Sequence, residues 1–267
     1  MSPFDPIAWD FRSDSRLFVL TGAGVSAESG LRTFRDAGGL WEDQRVEDVA
    51  TPEGFRRDPE LVISFYNKLR RNLPNAQPNP AHRALARLET VLGNRLCLVT
   101  QNVDDLHERA GSTRVVHMHG ELRKLRCRRD PAHVVPFDGD QTEDTSCPLC
   151  GAPMRPHIVW FGEMPLRMDE IEAALSDCTH FAYIGTSSQV YPAAGFRHTA
   201  KARGAKVLCI NLEVEPDPGT DLFLRGAAGT EVPLWVEGFS RTDATREGPR
   251  SVRLWLLEPD GGPVDRN

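Results

Sequence analysis

Short apolar runs recur along the chain, and almost every one empties into a polar or glycine-bearing turn. Leu17–Thr21 (LFVLT) leads into Gly22, Leu96–Thr100 (LCLVT) into Gln101 and Asn102, and 115–118 (VVHM) into His119. Further on, 157–161 (HIVWF) leads into Gly162, 181–184 (FAYI) into Gly185, and 206–210 (KVLCI) into Asn211. The runs lack clean apolar–polar alternation. Both faces of each strand should therefore be buried, as in a parallel sheet covered by helices. Stretches with helical character lie between them: 80–92 (PAHRALARLETVL), 168–176, and 193–203 closed by Gly204. Strand and helix in alternation predict an α/β fold with a doubly wound, Rossmann-like parallel sheet. Such sheets bind ligands beyond the carboxyl ends of their strands. Gly22, Ala23, Gly24, Gln101, Asn102, His119, Gly185, Thr186, Ser187 and Asn211 all fall there.

Two segments break the pattern. Residues 37–78 carry Trp41, Pro52, Phe55 and Tyr66, and residues 121–156 are turn-rich and hold Cys127, Cys147 and Cys150. They are expected to form a small helical, zinc-binding domain set on a Rossmann-like domain of 1–36, 79–120 and 157–238. Residues 239–267 read as a linker-like extension, partly disordered. Hydrophobic residues at 40% and charged residues at 26% suit a globular chain with a sizeable core. The net charge of -6 offers no basic footprint for nucleic acid or an anionic membrane, and the basic stretch 123–129 reads as a solvated face. No apolar run reaches the length of a bilayer span and the N-terminus has no leader pattern, so a cytoplasmic location is expected.

Chemistry concentrates in four places. Gly22-x-Gly24-x-x-Ala27 follows a strand, the setting in which backbone N–H groups cradle a pyrophosphate at a helix start; a plain tight turn also explains it. The ribose-binding acid of a dinucleotide dehydrogenase is not evident after it. Arg32, Thr33, Phe34 and Arg35 add an aromatic ring and cations, which can cover a sugar and neutralise charge. Asn102 and Asp104 share one side of an extended backbone and suit hydroxyls and a carboxamide; Asp104 equally suits the N-cap of the next segment. His119, at a strand end before Gly120, can act as a general base near neutral pH or fill a structural role. Cys147-Pro-Leu-Cys150 is a zinc half-site. Its counterpart, Cys127-Arg-Arg-Asp130, has Asp where a second Cys belongs, which leaves Asp130 or His133 as the fourth ligand, or else a site that binds metal weakly or not at all. Cys97, Cys178 and Cys209 read as core thiols.

In this order, GAGVSAESG…TFR, TQNVDDLHERAG, HMHGEL, CPLCG, RPHIVWFGE, GTSSQVYPAAG and INLE resemble the sirtuins, the NAD-dependent protein lysine deacylases. The likeness covers about 17–236 and is strongest to the bacterial class III subgroup. It implies NAD as co-substrate, bound by Gly22, Ala23, Gly24, Ala27, Thr33, Phe34, Arg35 and Trp41. Gln101, Asn102 and Asp104 would line the nicotinamide ribose and carboxamide pocket. Gly185, Thr186 and Ser187 would contact the adenine-side ribose and phosphate, and Asn211 with Glu213 the adenosine end. It further implies catalysis by His119 as general base with Asn102 and Asp104, and one structural zinc on Cys127, Cys147 and Cys150. The acyl-lysine protein or peptide would pair as a strand beside Val159, Trp160, Phe161 and Gly162. Free lysine, nicotinamide and O-acyl-ADP-ribose would be the products.

One departure bears on the acyl group. The subgroup's acyl pocket is matched by Ala50-Thr51-Pro52 and Tyr66, but position 69 is Leu where the pattern has an Arg for acidic acyl chains. Leu69 cannot pair with a carboxylate, and an unpaired buried carboxylate is costly. Lys68 and Arg70 point about 100° away on a helix. Weak desuccinylation and a preference for acetyl or longer apolar groups are expected. The same residues also suit mono-ADP-ribosyl transfer or NAD hydrolysis; a non-enzymatic NAD sensor would have no use for His119.

Overall fold

The computed structural model describes residues 9–32, 40, 41, 44–213, 216 and 218–246. In chain order its strands are β1 (Leu17–Thr21), β2 (Leu40–Trp41), β3 (Gln44–Arg45), β4 (Leu96–Thr100), β5 (Val115–His117) and β6 (Gly120–Cys127). They continue with β7 (Val134–Pro136), β8 (Met154–Ile158), β9 (His180–Ile184), β10 (Lys206–Asn211) and β11 (Leu222–Arg225). The α-helices are α1 (Val46–Val49), α2 (Pro52–Arg57), α3 (Pro59–Asn72), α4 (Pro80–Leu92), α5 (Leu106–Arg109), α6 (Met168–Asp177), α7 (Phe196–Ala202) and α8 (Ala228–Arg246).

The expected parallel sheet is present, six strands in the order β11-β10-β9-β1-β4-β5. Burial on both faces explains the missing alternation. Leu17 and Val19 of β1 pack into one core with α4 and α8, while Phe18 and Leu20 pack into the opposite core with α6 and α7. The chain steps from β1 to β4 and β5 on one side and returns with β9 on the other. The strand order thus reverses between β1 and β9, and a crevice opens there beyond the strand ends. Local signals set the helix starts. Asn79 accepts from the N–H groups of Ala81 and His82, its own N–H donates to His82 Nδ1, and Pro80 occupies the first turn of α4. Asp58 and Pro59 open α3 in the same way, with Asp58 accepting from the N–H of Leu61.

The insertions form a second module, a three-stranded antiparallel sheet β7-β6-β8 beside α1, α2 and α3. Val49, Phe55, Val62, Tyr66, Leu122 and Trp160 make its core. Here one expectation is corrected. The run 157–161 is not a strand of the parallel sheet, because β8 spans Met154–Ile158 and pairs antiparallel with β6. An apolar run reads alike whichever module buries it. Pro156 of β8 fits the edge position that this strand occupies.

The C-terminal reading is corrected as well. Helix α8 runs through 238 to Arg246, where a linker was expected, because Trp235, Val236 and Phe239 are buried in the core it shares with α4. Pro233 and Gly238 inside the segment mute its helical signal. Residues 247–267 lie outside the described structure. No helix among the described residues is long and apolar enough to cross a membrane.

Candidate active site

At the reversal point two glycine loops touch. The N–H of Gly22 donates to Ile184 O at 3.0 Å and that of Gly24 to Gly185 O at 2.8 Å. A Cβ on Gly24 would lie 2.7 Å from that carbonyl oxygen, and one on Gly22 2.8 Å from Thr186 Cα. These glycines therefore serve loop-to-loop contact as much as approach to a ligand. The turn is followed by two 3₁₀ turns, Ala23–Val25 and Ala27–Ser29, and not by the α-helix that the motif suggested. The second loop is stitched down by its neighbours. Gln101 Nε2 donates to Thr186 Oγ1 at 2.9 Å, Asn211 Nδ2 donates to Thr186 O at 2.9 Å, and the Glu213 N–H donates to Asn211 Oδ1 at 3.2 Å.

Asn102 and Asp104 do converge, and the group between them is Ser26, which sequence reasoning did not single out. Asn102 Nδ2 donates to Ser26 Oγ at 3.1 Å and to Gly22 O at 3.2 Å. Ser26 Oγ in turn donates to Asp104 Oδ2 at 3.0 Å. The other oxygen of Asp104 accepts from the Leu106 N–H at 3.1 Å and so braces the entry to α5, but the N-cap of that helix is Asp105 and not the expected Asp104. Burial pushes the Asp104 carboxyl up, against the pull of those two donors. A hydroxyl inside a glycine turn, in GAGVSA, was the available signal for Ser26.

His117 and His119 are pushed in opposite directions by their surroundings. His119 donates Nδ1–H to Gln101 O at 3.0 Å, which leaves Nε2 with its lone pair. Burial lowers its pKa and the bond to Gln101 offsets only part of that, so the ring is neutral. Burial also opposes charge on His117, but the Glu108 carboxylate, 2.7 Å from Nε2, outweighs it and raises the pKa. With Asn102 O accepting from Nδ1 at 3.2 Å, both nitrogens of His117 face acceptors. His117 therefore fixes the Asn102 backbone, and His119 keeps a free base.

One cavity of about 830 Å³ collects the expected residues. Gly22, Ala23, Gly24, Ala27, Gln101, Asn102, Asp104, His119, Gly185, Thr186, Ser187, Asn211 and Glu213 line it, together with Ser26. Ala50, Tyr66, Leu69, Val159, Trp160, Phe161 and Gly162 line its other end. Thr33, Phe34, Arg35 and the side chain of Trp41 lie outside the described residues. The strip 159–161 is tied to the base and to the acyl end, since the Val159 N–H donates to His119 O and the Phe161 N–H to Ala50 O, each at 2.9 Å. Tyr66 is fully buried, accepts from Trp160 Nε1 at 3.0 Å, and has its hydroxyl pKa raised by burial. Leu69 faces the cavity. Arg70 faces the small sheet, donating to Leu122 O at 2.7 Å, Asn67 Oδ1 at 2.8 Å and Gly139 O at 3.1 Å. It is not available to the cavity.

The metal-binding cluster is Cys127, His133, Cys147 and Cys150, with ligand atoms all within 4.8 Å of one another. A tetrahedral zinc with bonds of about 2.3 Å to sulfur has sulfur–sulfur edges of about 3.8 Å. Cys127 Sγ to Cys150 Sγ is 3.5 Å and Cys147 Sγ to His133 Nδ1 is 3.7 Å, so the four groups fit. Of the two candidates for the fourth ligand, His133 is in the cluster. Asp130 stands behind it, 3.3 Å from His133 Nε2. The backbone N–H groups of Asp130 and Arg129 point at Cys127 Sγ and hold its thiol down to about 7.

Comparison with known proteins shows the family. The Sir2 family model matches residues 22–192. A protein named NAD-dependent protein deacylase from Escherichia coli K12 is 56% identical over 240 residues, covering 87% of this chain and 85% of its own length. One of the same name from Salmonella typhimurium LT2 is 53% identical over 241 residues, covering 88% of each. Among solved structures, a Sir2 homologue in complex with NAD is 39% identical with a TM-score of 0.80, covering 90% of this chain and 95% of its own. A Sir2 protein bound to a myristoylated histone peptide is 32% identical with a TM-score of 0.67, covering 90% and 98%. The chain belongs to the Sir2 family.

Proposed function

We propose that this chain is an NAD-dependent protein lysine deacylase that yields free lysine, nicotinamide and O-acyl-ADP-ribose. The observation that carries the reading is a single cavity uniting the glycine crossing, the Asn102–Ser26–Asp104 relay and the free Nε2 of His119. The donors present fit a dinucleotide: clefted backbone at the reversal point, hydroxyls and amides for ribose, and Asn211 with Glu213 at the far end. NAD, when bound, supplies a ribose carbon that becomes electrophilic as nicotinamide leaves.

Asn102 and Asp104 orient the ribose and carboxamide, held by Ser26. His119 accepts a proton from a ribose hydroxyl at Nε2, and its neutral state readies it at pH 7. Trp160, buried at 2% exposure, helps to exclude water, and the strip 159–162 runs beside the substrate backbone. The metal cluster, where zinc fits, lies in the small module outside the cavity and is structural. The identity to proteins named NAD-dependent protein deacylase supports deacylation over bare ADP-ribosyl transfer or NAD hydrolysis.

At the acyl end Leu69 offers no charge and Arg70 is committed elsewhere, which favours acetyl or longer apolar acyl groups over succinyl. The test is a panel of acyl-lysine peptides with NAD, read for nicotinamide and nucleotide product. O-acyl-ADP-ribose is expected; ADP-ribose alone sinks deacylation. In the same panel Leu69→Arg should raise desuccinylation relative to deacetylation by roughly tenfold, the worth of a charge-assisted pair. No change in that ratio would mean that residue 69 does not meet the acyl terminus.

A further inference from the structure

On the far side of Trp160 lies a second cavity, about 420 Å³, into which Arg56, Arg126, Arg128 and Arg155 all project. One carboxylate, Glu163, faces them. Glu163 accepts from Arg126 at 2.9 Å, from Arg155 at 2.7 and 3.0 Å, and from the Trp160 N–H at 2.8 Å. Three of these bonds fall on Oε2 and one on Oε1, and a single charge answers two guanidinium groups that are only 12% and 13% exposed. Arg128 has no ion-pair partner among the described residues and lies over the Phe55 ring at 5.2 Å. Among the described residues Arg56 pairs with Glu53 alone, on an exposed pair. The chain as a whole carries -6, so this concentration of positive charge is local and not an overflow of a basic protein.

Position gives the pocket its meaning. Trp160 and Glu163 line both cavities, so one indole separates the acyl-lysine end of the main site from the arginines. Arg155 stacks on that indole, 3.3 Å from the ring centroid. Met164, 75% exposed, stands among the lining residues. A peptide extended along 159–162 rises about 3.3 Å per residue, so its flanking side chains come within reach of the pocket in a few steps.

Resting on the deacylase reading, we propose that this pocket is an anion subsite for the substrate polypeptide. It takes an Asp or Glu side chain a few residues from the acyl-lysine, with Arg56 and Arg128 as the accessible cations. Arg126 and Arg155, pinned by Glu163, form its floor. The basic stretch 123–129 is then in part a recognition surface and not only a solvated face.

The experiment measures binding and turnover of labelled acyl-lysine peptides. They carry Glu, Gln or Lys about two to five residues from the acyl-lysine on either side. At low ionic strength the Glu peptide should bind about fivefold tighter than the Gln peptide, and the Lys peptide weaker still. The preference should shrink at about 0.5 M salt. In Arg56→Glu/Arg128→Glu the Glu-to-Gln ratio should fall to one or invert, and in Arg56→Gln/Arg128→Gln it should fall to near one. A ratio taken within one protein is insensitive to lost overall activity. Equal binding of the Glu and Gln peptides, or a preference untouched by both variants, overturns the subsite. A Glu preference without release of acyl groups would sink the deacylase reading and leave the pocket standing.

Discussion

Two histidines two residues apart carry the sharpest argument at the scale of single residues. His117 faces two acceptors, a carbonyl and a carboxylate, which favour its protonated form; His119 faces one carbonyl, and burial favours its neutral form. Only His119 has a lone pair left for chemistry. His119→Ala should therefore reduce turnover by roughly 10²–10⁴ while the thermal midpoint stays close to wild type. The pH profile gives a second check. A base must be unprotonated, so activity falls as pH drops through its pKa, and burial sets that limb below the ordinary histidine value of 6.5. An acidic limb above pH 7, or an alanine variant within tenfold of wild type, would assign the proton to another group.

Among the elements, what the sequence could reveal depended on how locally each was specified. The bounds of α4 were legible because Asn79, Pro80 and the apolar spacing all act within the helix. The ends of the parallel-sheet strands β1, β4, β9 and β10 were legible because each ends on, or is followed by, a residue that a turn or a ligand explains. Three features were not legible. The burial of β8 by the small module, the anchoring of α8 through Trp235 and Phe239, and Ser26 as hub each depend on a partner distant in the chain. The choice between Asp130 and His133 had the same cause, since it turns on the way the loop before β7 folds back. That loop belongs to the element with least apolar support: Leu125, Cys127, Cys147, Ala152 and Met154 are its whole buried cluster. So small a core needs a crosslink. Chelation, or His133→Ala, should release about one equivalent of zinc and lower the thermal midpoint by on the order of 5–10 °C. Asp130→Ala should weaken zinc affinity about tenfold and leave the stoichiometry intact, because Asp130 holds the ligand and not the metal. A protein purified without zinc that melts at the same temperature with and without chelator would remove the metal from the account.

For the molecule as a whole, buried histidines make the fold sensitive to acid. His82 and His157 are each held down to about 4, mainly by burial, with Arg83 adding to the effect at His82 and Arg126 at His157. His107 is lowered as well, again by burial first. Their hydrogen bonds agree with neutrality: His82 Nδ1 accepts from the Asn79 N–H, and His107 Nδ1 has no hydrogen-bond partner among the described residues. In the unfolded chain these rings would take a proton near 6.5. Between that value and about 4 the unfolded state binds more protons than the folded one, so stability is complete above pH 6.5 and drains away as pH falls. His117 works in the opposite sense, contributing below its raised pKa and losing that contribution as pH rises, but it stands against several depressed rings. By pH 5 the loss should be about 2 kcal/mol for each of His82 and His157. At about 2–4 °C per kcal/mol, thermal unfolding at pH 5 should come on the order of 10 °C below that at pH 7. His157 lies outside the main cavity, so His157→Gln can remove one titrating ring without touching the candidate site. The variant should lose noticeably less stability than wild type between pH 7 and 5. If both proteins lose the same amount, or the wild type is indifferent to pH over that range, these rings are not the source of the acid response.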